Sequence, residues 1–422
     1  MDIDQLLLAE LKGSLDFFLD YTNRDPASPG YGLTVDATKK NNICSIASVG
    51  FALTAWVIAA ERGYLPRAEA LALARGTLRT LLHNAPHYRG FFAHFLYMDT
   101  AQRVKLCEYS TIDTALCLNG VITVAAYFHD AELDDLAHQL LARVDWQHFV
   151  AERDGKLLLR MAYNADQKGD YVSGQPGFLG WWDMAAEQKM LYLQAAGQLD
   201  PAVARRLYQG FARDTCDWNG QKIIVNPDGN LFAYLYSKAW LDVRDYLDPD
   251  GLDWFNNTRL AVLSNRAFCI AQSDRYKTYH ANSWGLSAGD SPKGYYVAGA
   301  EPCLRPAQHN GTVCIYAGLA ALPFAPDEAK AMALYLYHEH PRAWGRYGFY
   351  DAYNLDVAPA WYSRAVYGID KGVSLILLEN YLTGLVWDTY TRSPGIQQAL
   401  GALGFRPRAS RPAEALPQTV DA

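Results

Sequence analysis

Several features that would place a chain in a large functional class are missing here. There is no long basic run, and the net charge is −7 with a pI near 5.8, so nucleic-acid binding has no electrostatic footing. HExxH, a Walker loop, GxSxG and a GxGxxG ahead of a strand are all absent. No CxxC occurs. The cysteines are seven, an odd number, irregularly spaced in apolar settings such as TALCLNG and RAFCIAQ. They read as buried thiols of a reducing compartment, not as a disulfide framework. His338 and His340 in YHEHPR read as a helix end and not as a zinc pair, so neither metal nor cofactor is expected. No apolar run approaches the ~20 residues that span a bilayer. The N-terminus, MDIDQLLLAELKGSLDFF, carries acids early and has no basic leader segment, so it reads as an amphipathic helix of a soluble, cytoplasmic protein. No Pro/Gly/Ser-rich linker divides the chain. One domain is expected over 1–405, with a flexible Pro- and Ala-rich tail over 406–422.

What is present is helical periodicity from end to end. IASVGFALTAWVIAAERGY (46–64) is apolar nearly all round, and PRAEALALARGTLRTLLHN (66–84) is amphipathic. The same alternation recurs at 110–128 with 131–146, 178–197 with 200–214, 235–247 with 252–272, and 312–322 with 326–339. A last helix is expected over 371–389. Buried helices alternating with amphipathic ones predict an inner ring within an outer ring, an all-α (α/α)6 barrel. Short β-hairpin insertions are expected at KLLLRMAYN (156–164) and QKIIVNPDGNLFAY (221–234), the latter turning at Asn226-Pro227-Asp228-Gly229.

Candidate chemistry gathers in loops between the helices. Aromatics make up 13% of the chain, with 28 Tyr and 11 Trp, and aromatic faces suit sugar rings. KLCEYSTIDT holds Glu108 and Asp113, and Ser110 is a plausible helix cap with Asp113 at the third helical position. GFLGWWDMAAEQKMLYL holds Glu187 among apolar residues that include Trp181 and Trp182. A carboxyl held against indoles has its ionised form disfavoured, which suits a general acid; a solvated surface glutamate is the plainer reading. YHANSWGLSAGDSPKGYY mixes His280, Asn282, Trp284, Asp290, Tyr295 and Tyr296 in a Gly-rich loop. GRYGFYDAYN sets Asp351 among Tyr347, Phe349 and Tyr350, and is followed by Asp370 and Glu379. Glu379 also reads as a buried structural glutamate. Aromatics with carboxylates point to glycoside chemistry, in which two acids flank the bond being cleaved.

At these residues the chain resembles the glucoamylase-like family, which includes bacterial endo-β-1,2-glucanases and the transglycosylating domain of cyclic β-1,2-glucan synthases. The resemblance runs over roughly 10–390 and is carried by EYSTIDTALCLNG, EQKMLYLQAAG, SWGLSAGDSPKGYY, WGRYGFYDAYN and IDKGVSLILLENYLTG. It implies an (α/α)6 barrel, Glu187 as general acid, Asp351 as base or water organiser and Asp113 facing the pocket. It also implies stacking surfaces from Trp284, Tyr295, Tyr347, Phe349 and Tyr350. By residue type and setting, Glu108, Trp181, Trp182, His280, Asn282, Asp290, Asp370 and Glu379 are further candidates for binding substrate. The sequence departs from the family pattern at Ala186, at HANSWGL, which lacks a glutamate before WGL, and at Lys371, Val373 and Leu382.

The resulting expectation is a glycoside hydrolase acting by inversion on a β-glucan or its oligosaccharides, β-1,2-linked by preference. The partner is a saccharide, with no nucleic acid and no membrane. A retaining transglycosylase on the same fold is the nearest rival. Two further readings are a catalytically inactive carbohydrate-binding protein and a sugar epimerase; the latter requires His94, His280 and His309 to converge.

Overall fold

The architecture is that of a computed structural model, which describes residues 1–166 and 177–408. Six helices are enclosed on nearly all sides: Ile46–Glu61, Thr111–Phe128, Lys189–Ala196, Phe232–Trp240, Ile315–Leu319 and Gly368–Leu382. Six others alternate with them along the chain and bury one face each: Ile3–Asp20, Arg67–His83, Ala131–Ala142, Pro201–Gly210, Trp254–Ala271 and Pro326–Glu339. The alternation read from the sequence is therefore present, and a single apolar cluster runs from Leu6 to Phe405. Local chemistry starts many of the helices. Asp2 and Gln5 form a capping box, Ser110 and Asp130 accept from first-turn amides, and Pro201 and Pro326 occupy first turns.

The tightest packing joins Ile46–Glu61 to Thr111–Phe128. The backbones meet at two glycines. A Cβ on Gly120 would lie 2.2 Å from the Gly50 carbonyl oxygen, and one on Gly50 would lie 2.1 Å from that of Leu116. Glycine inside a helix costs about 1 kcal/mol relative to alanine, and here close approach offsets that cost. Thr111–Phe128 is long and apolar enough to cross a bilayer by length and composition, with a mean hydropathy of 1.4, but 72% of it is buried inside the protein.

Two small antiparallel sheets matter for function. In one, Lys156–Asn164 pairs with Tyr109–Ser110, Val150–Arg153 and Gly177–Trp181. In the other, Ala352–Asn354 lies between Val313–Cys314 and Trp361–Tyr362.

The structure corrects several expectations. The helix expected over 178–197 begins only at Lys189. Gly177 and Gly180 hold positive φ (90° and 53°), and the stretch between them pairs as a strand. Strand Gln221–Ile224 turns back on Thr215–Trp218 through Asn219-Gly220, both at positive φ, and not through 226–229. The last helix breaks at Gly384, where φ is 76°. Arg406–Pro407 pairs with Tyr246–Leu247, so the expected tail is docked as far as Arg408, and 409–422 lie outside the described residues.

The glycine contact yields a test. Gly120→Ala should destabilise the protein by about 2 kcal/mol or more through overpacking. Gly401→Ala, on a helix with open space around it, should gain up to about 1 kcal/mol. Urea denaturation midpoints of the two variants should move in opposite directions.

Candidate active site

The site forms where the enclosed helices begin. Asp113 lies in the first turn of Thr111–Phe128, Glu187 two residues ahead of Lys189–Ala196, and Asp370 in the first turn of Gly368–Leu382. The carbonyl of Asp351 accepts the amide of Ile315 (2.8 Å), the residue that opens Ile315–Leu319. These carboxyls therefore gather at helix N-termini, where partial positive charge favours acids.

A cavity of about 400 Å³ opens at this end, within the usual size of small-ligand pockets. Glu187, Asp113, Glu108 and His94 line it together with Trp182, Met161, Met184 and Ile112. The Trp182 indole is anchored by donating to Thr111 Oγ1 (3.0 Å). Burial raises the Glu187 carboxyl to about 7, and the charge of Asp113 adds to the rise. The bend that carries Glu187 is stitched from below. Gln188 Oε1 accepts the Ala186 amide (2.9 Å), and Gln188 Nε2 donates to the Met184 carbonyl (2.6 Å). Lys189 Nζ donates to the Ala186 carbonyl (3.3 Å) and lies 4.0 Å from the Trp254 ring centroid. Burial, then Arg213, lowers this lysine to about 7.

Asp113 and Glu108 are held differently. His94 Nδ1 is 2.7 Å from Glu108, and its Nε2 is 3.5 Å from Asp113. Burial alone would lower the imidazole, but Asp113, Glu108 and Asp36 outweigh it and raise it to about 9. His94 is thus a cation between two carboxylates at neutral pH. Ser110 Oγ donates to Asp113 Oδ2 (2.5 Å) and accepts the Asp113 amide, so the expected cap is formed.

A second acid cluster holds Asp351, Asp370 and Asp290, each no more than 5% exposed. Asp351 Oδ2 accepts the Asp290 amide (2.6 Å), and Asp370 accepts from the Tyr236 and Tyr295 hydroxyls. Burial and then the Asp351 charge push Asp370 far up, so it carries the proton of the pair. Asp351 is raised to about 6 by burial, against the Asp290 amide and the Asp370 hydrogen bond, which favour its charge. Asp290 is neutralised by Lys39 (2.7 Å) and accepts from Ser363 (2.6 Å).

The two clusters adjoin without sharing a cavity. Ala233 lines the large cavity, and Tyr236, one turn later on the same helix, bonds Asp370. Asp36 interacts electrostatically with Asp113 and His94 on one side and with Tyr367 on the other. Asp351 instead borders a void of about 10 Å³ with Phe349, Tyr350, Tyr367 and Lys371.

The remaining expected residues fall in different places. Tyr295 is 44% exposed as a residue while its hydroxyl reaches Asp370, which leaves it the candidate stacking residue. Trp284 does not serve as one, because it is fully enclosed in the core. Tyr347 turns toward the N-terminal helix, packing on Phe17 and Tyr21 and bonding Asp20. Phe349 is buried edge-on against Trp344, and Trp181 is covered by the Arg160 guanidinium at 3.3 Å. Glu379 is a buried structural acid bound to Arg62 (3.0 Å) and Thr383 (2.6 Å). His280 and Asn282 sit in a turn against Tyr335, and His309 packs on Phe268 and Tyr276. His94, His280 and His309 do not converge, so the epimerase reading loses its acid and base.

Sequence reasoning did not assign the cavity's Asn226, Asp228, Asn230 and Arg305 to the site. Arg305 pairs with Asp228 (3.3 Å), and Asn226 Oδ1 accepts the amides of 228 to 230, giving the turn a fixed shape. The NPDGN cluster was the available signal, read only as a hairpin turn.

A Parabacteroides distasonis protein named exo β-1,2-glucooligosaccharide sophorohydrolase (non-reducing end) is 25% identical over 410 residues, covering 89% of this chain and 55% of its own length. The chain thus spans about half the length of that curated relative. The endo-β-1,2-glucanase of Chitinophaga pinensis, in a sophorotriose and glucose complex, superposes with a TM-score of 0.81 at 24% identity, covering 96% of this chain and 99% of that one. Residues 181–394 match the Glycoamylase family model, described as "Putative glucoamylase". A Bacteroides uniformis crystal structure of the same description has a TM-score of 0.83 at 25% identity, covering 96% and 98% of the two chains. With half of its length matched by that model, the chain belongs to the glycoamylase family.

Proposed function

We propose that the protein is a glycoside hydrolase of (α/α)6-barrel architecture that cleaves β-1,2-linked glucooligosaccharides by inversion. Six enclosed helices alternating with six one-faced ones support the barrel. The substrate class rests on the activities named for the Parabacteroides and Chitinophaga proteins. The observation that carries the reading is Glu187, a carboxyl at about 7 in a cavity lined by Trp182 and two methionines.

A glycosidase needs one acid protonated and one ionised at the same pH. Burial raises both Glu187, to about 7, and Asp351, to about 6, and the Asp290 amide and the Asp370 hydrogen bond favour the charged form of Asp351 alone. Glu187 donates its proton to the leaving oxygen as the glycosidic bond breaks. Asp351, kept anionic by the proton that Asp370 holds, takes the proton from the water that attacks C1. The Asp113 charge adds to the proton affinity of Glu187. The exposed Tyr295 ring offers a sugar face whose orientation is fixed by the phenol bond to Asp370.

A second reading has its own observation. Asp113 shares the large cavity with Glu187, whereas Asp351 does not. As nucleophile, Asp113 would give retention and open the way to transglycosylation.

Product anomers separate the two. Proton NMR during cleavage of β-1,2-glucooligosaccharides should show the α-anomer first; β first would assign the chemistry to Asp113. Glu187→Gln should lower turnover by about 10²–10⁴-fold while sugar binding, measured by calorimetry, persists. A binding protein without catalysis would show no turnover in either form.

The pH profile follows from the same pair. Asp351 must be ionised, so activity is lost as pH falls through about 6. Glu187 must be protonated, so activity is lost as pH rises through about 7. kcat/KM should form a narrow bell between these limbs, and Glu187→Gln should abolish the alkaline limb in its residual activity.

A further inference from the structure

An ion pair of high burial lies behind the candidate base. Glu10 of the N-terminal helix and Lys371 of Gly368–Leu382 meet at 2.8 Å, with side chains 2% and 5% exposed. Burying two charges is costly, and apolar replacements of such pairs are often neutral or stabilising. Stability alone is therefore a weak reason for this one. What distinguishes it is the main chain it holds. Glu10 Oε2 accepts the Phe349 amide (2.7 Å), and Lys371 Nζ donates to the Phe349 carbonyl (2.7 Å). Both polar groups of one peptide residue, two positions before Asp351, are satisfied by this pair. Apolar substitutes would leave them buried without partners.

Neighbouring glycines are shaped around the clamp. Gly348 has φ 78°, and a Cβ there would lie 2.0 Å from Glu10 Oε2. A Cβ on Gly13, one helical turn beyond Glu10, would lie 2.6 Å from the Gly348 nitrogen. The helix and the GFYD turn are thus pressed together where Glu10 reaches across. On the other side, Lys371 borders the same small void as Asp351 and follows directly on Asp370. One helix turn supplies both the acid that shares a proton with Asp351 and a cation whose charge acts on it.

Building on the reading of Asp351 as base, we propose that Lys371, with Glu10, is a positioning residue: the pair grips Phe349 on both sides and so sets where the Asp351 carboxylate stands. The groups facing Asp351 are the carboxyls of Asp290 and Asp370, the Cys314 thiol, the phenols of Tyr295, Tyr316 and Tyr367, and Lys371. Asp290 is already paired with Lys39. Removing the Lys371 charge leaves Asp351 facing acids and neutral groups, and it should then protonate at higher pH.

The test uses the full chain with Lys371→Met, Lys371→Arg and the double variant Glu10→Gln with Lys371→Met, which leaves no unpaired carboxylate if the single change fails to fold. On β-1,2-glucooligosaccharides, Lys371→Met and the double variant should lose about tenfold or more in kcat with KM within about threefold. Their acid limb should rise by at least about half a pH unit. Lys371→Arg should restore the limb. Activity lost together with melting temperature, at an unmoved acid limb, would overturn the proposal and leave a purely structural pair. If the unmodified protein cleaves none of a panel of linkage-defined glucans, the hydrolase reading fails on its own. The clamp is then read by carboxyl-¹³C NMR titration of Asp351, where an unchanged midpoint in Lys371→Met overturns it.

Discussion

Carboxyl groups withheld from water at the starts of enclosed helices are the constraint that the rest of this structure accommodates. Each such group must find a cation, share a proton or stay neutral, because an isolated buried charge is too costly. All three solutions appear here. His94 serves Glu108 and Asp113, Lys39 serves Asp290, and Asp351 divides one proton with Asp370. Among the described residues, Glu187 has no ion-pairing partner, and it is the carboxyl raised to about 7.

The surrounding architecture serves that arrangement. Enclosed helices need apolar surfaces all round, so they can only begin at a polar end. Strand Lys156–Asn164 closes one wall with Met161 and Ala162, and the fixed turn at Asn226 closes another. The Asp351–Asp370 cluster lies beneath Tyr295 and is joined to the cavity side through one helix, Phe232–Trp240.

Much of this was legible in the sequence for physical reasons. Full apolarity at 46–64 against a striped pattern at 66–84 distinguishes enclosed from outer helices without any contact information. Ser110 and Asp113 were readable because capping is local. Where tertiary contact decided, the sequence was silent. Glycines at 177 and 180 turn an apparently helical stretch into a strand, and the Asn219-Gly220 turn outcompetes the NPDG signal beside it. Trp284 and Glu379 carry the right chemistry for a sugar site but face the core. Residue type does not encode which side of a helix end is open to water. His94 stood out by type only, since its two carboxylate neighbours lie 14 and 19 positions away.

The clamp on Phe349 joins residues 10 and 371, which are 361 positions apart. During synthesis the first of them leaves the ribosome long before the second exists. Until the closing helix has been made and has docked, the GFYD turn lacks one of the two groups that hold it. Order at the candidate base therefore waits on the meeting of two distant helices.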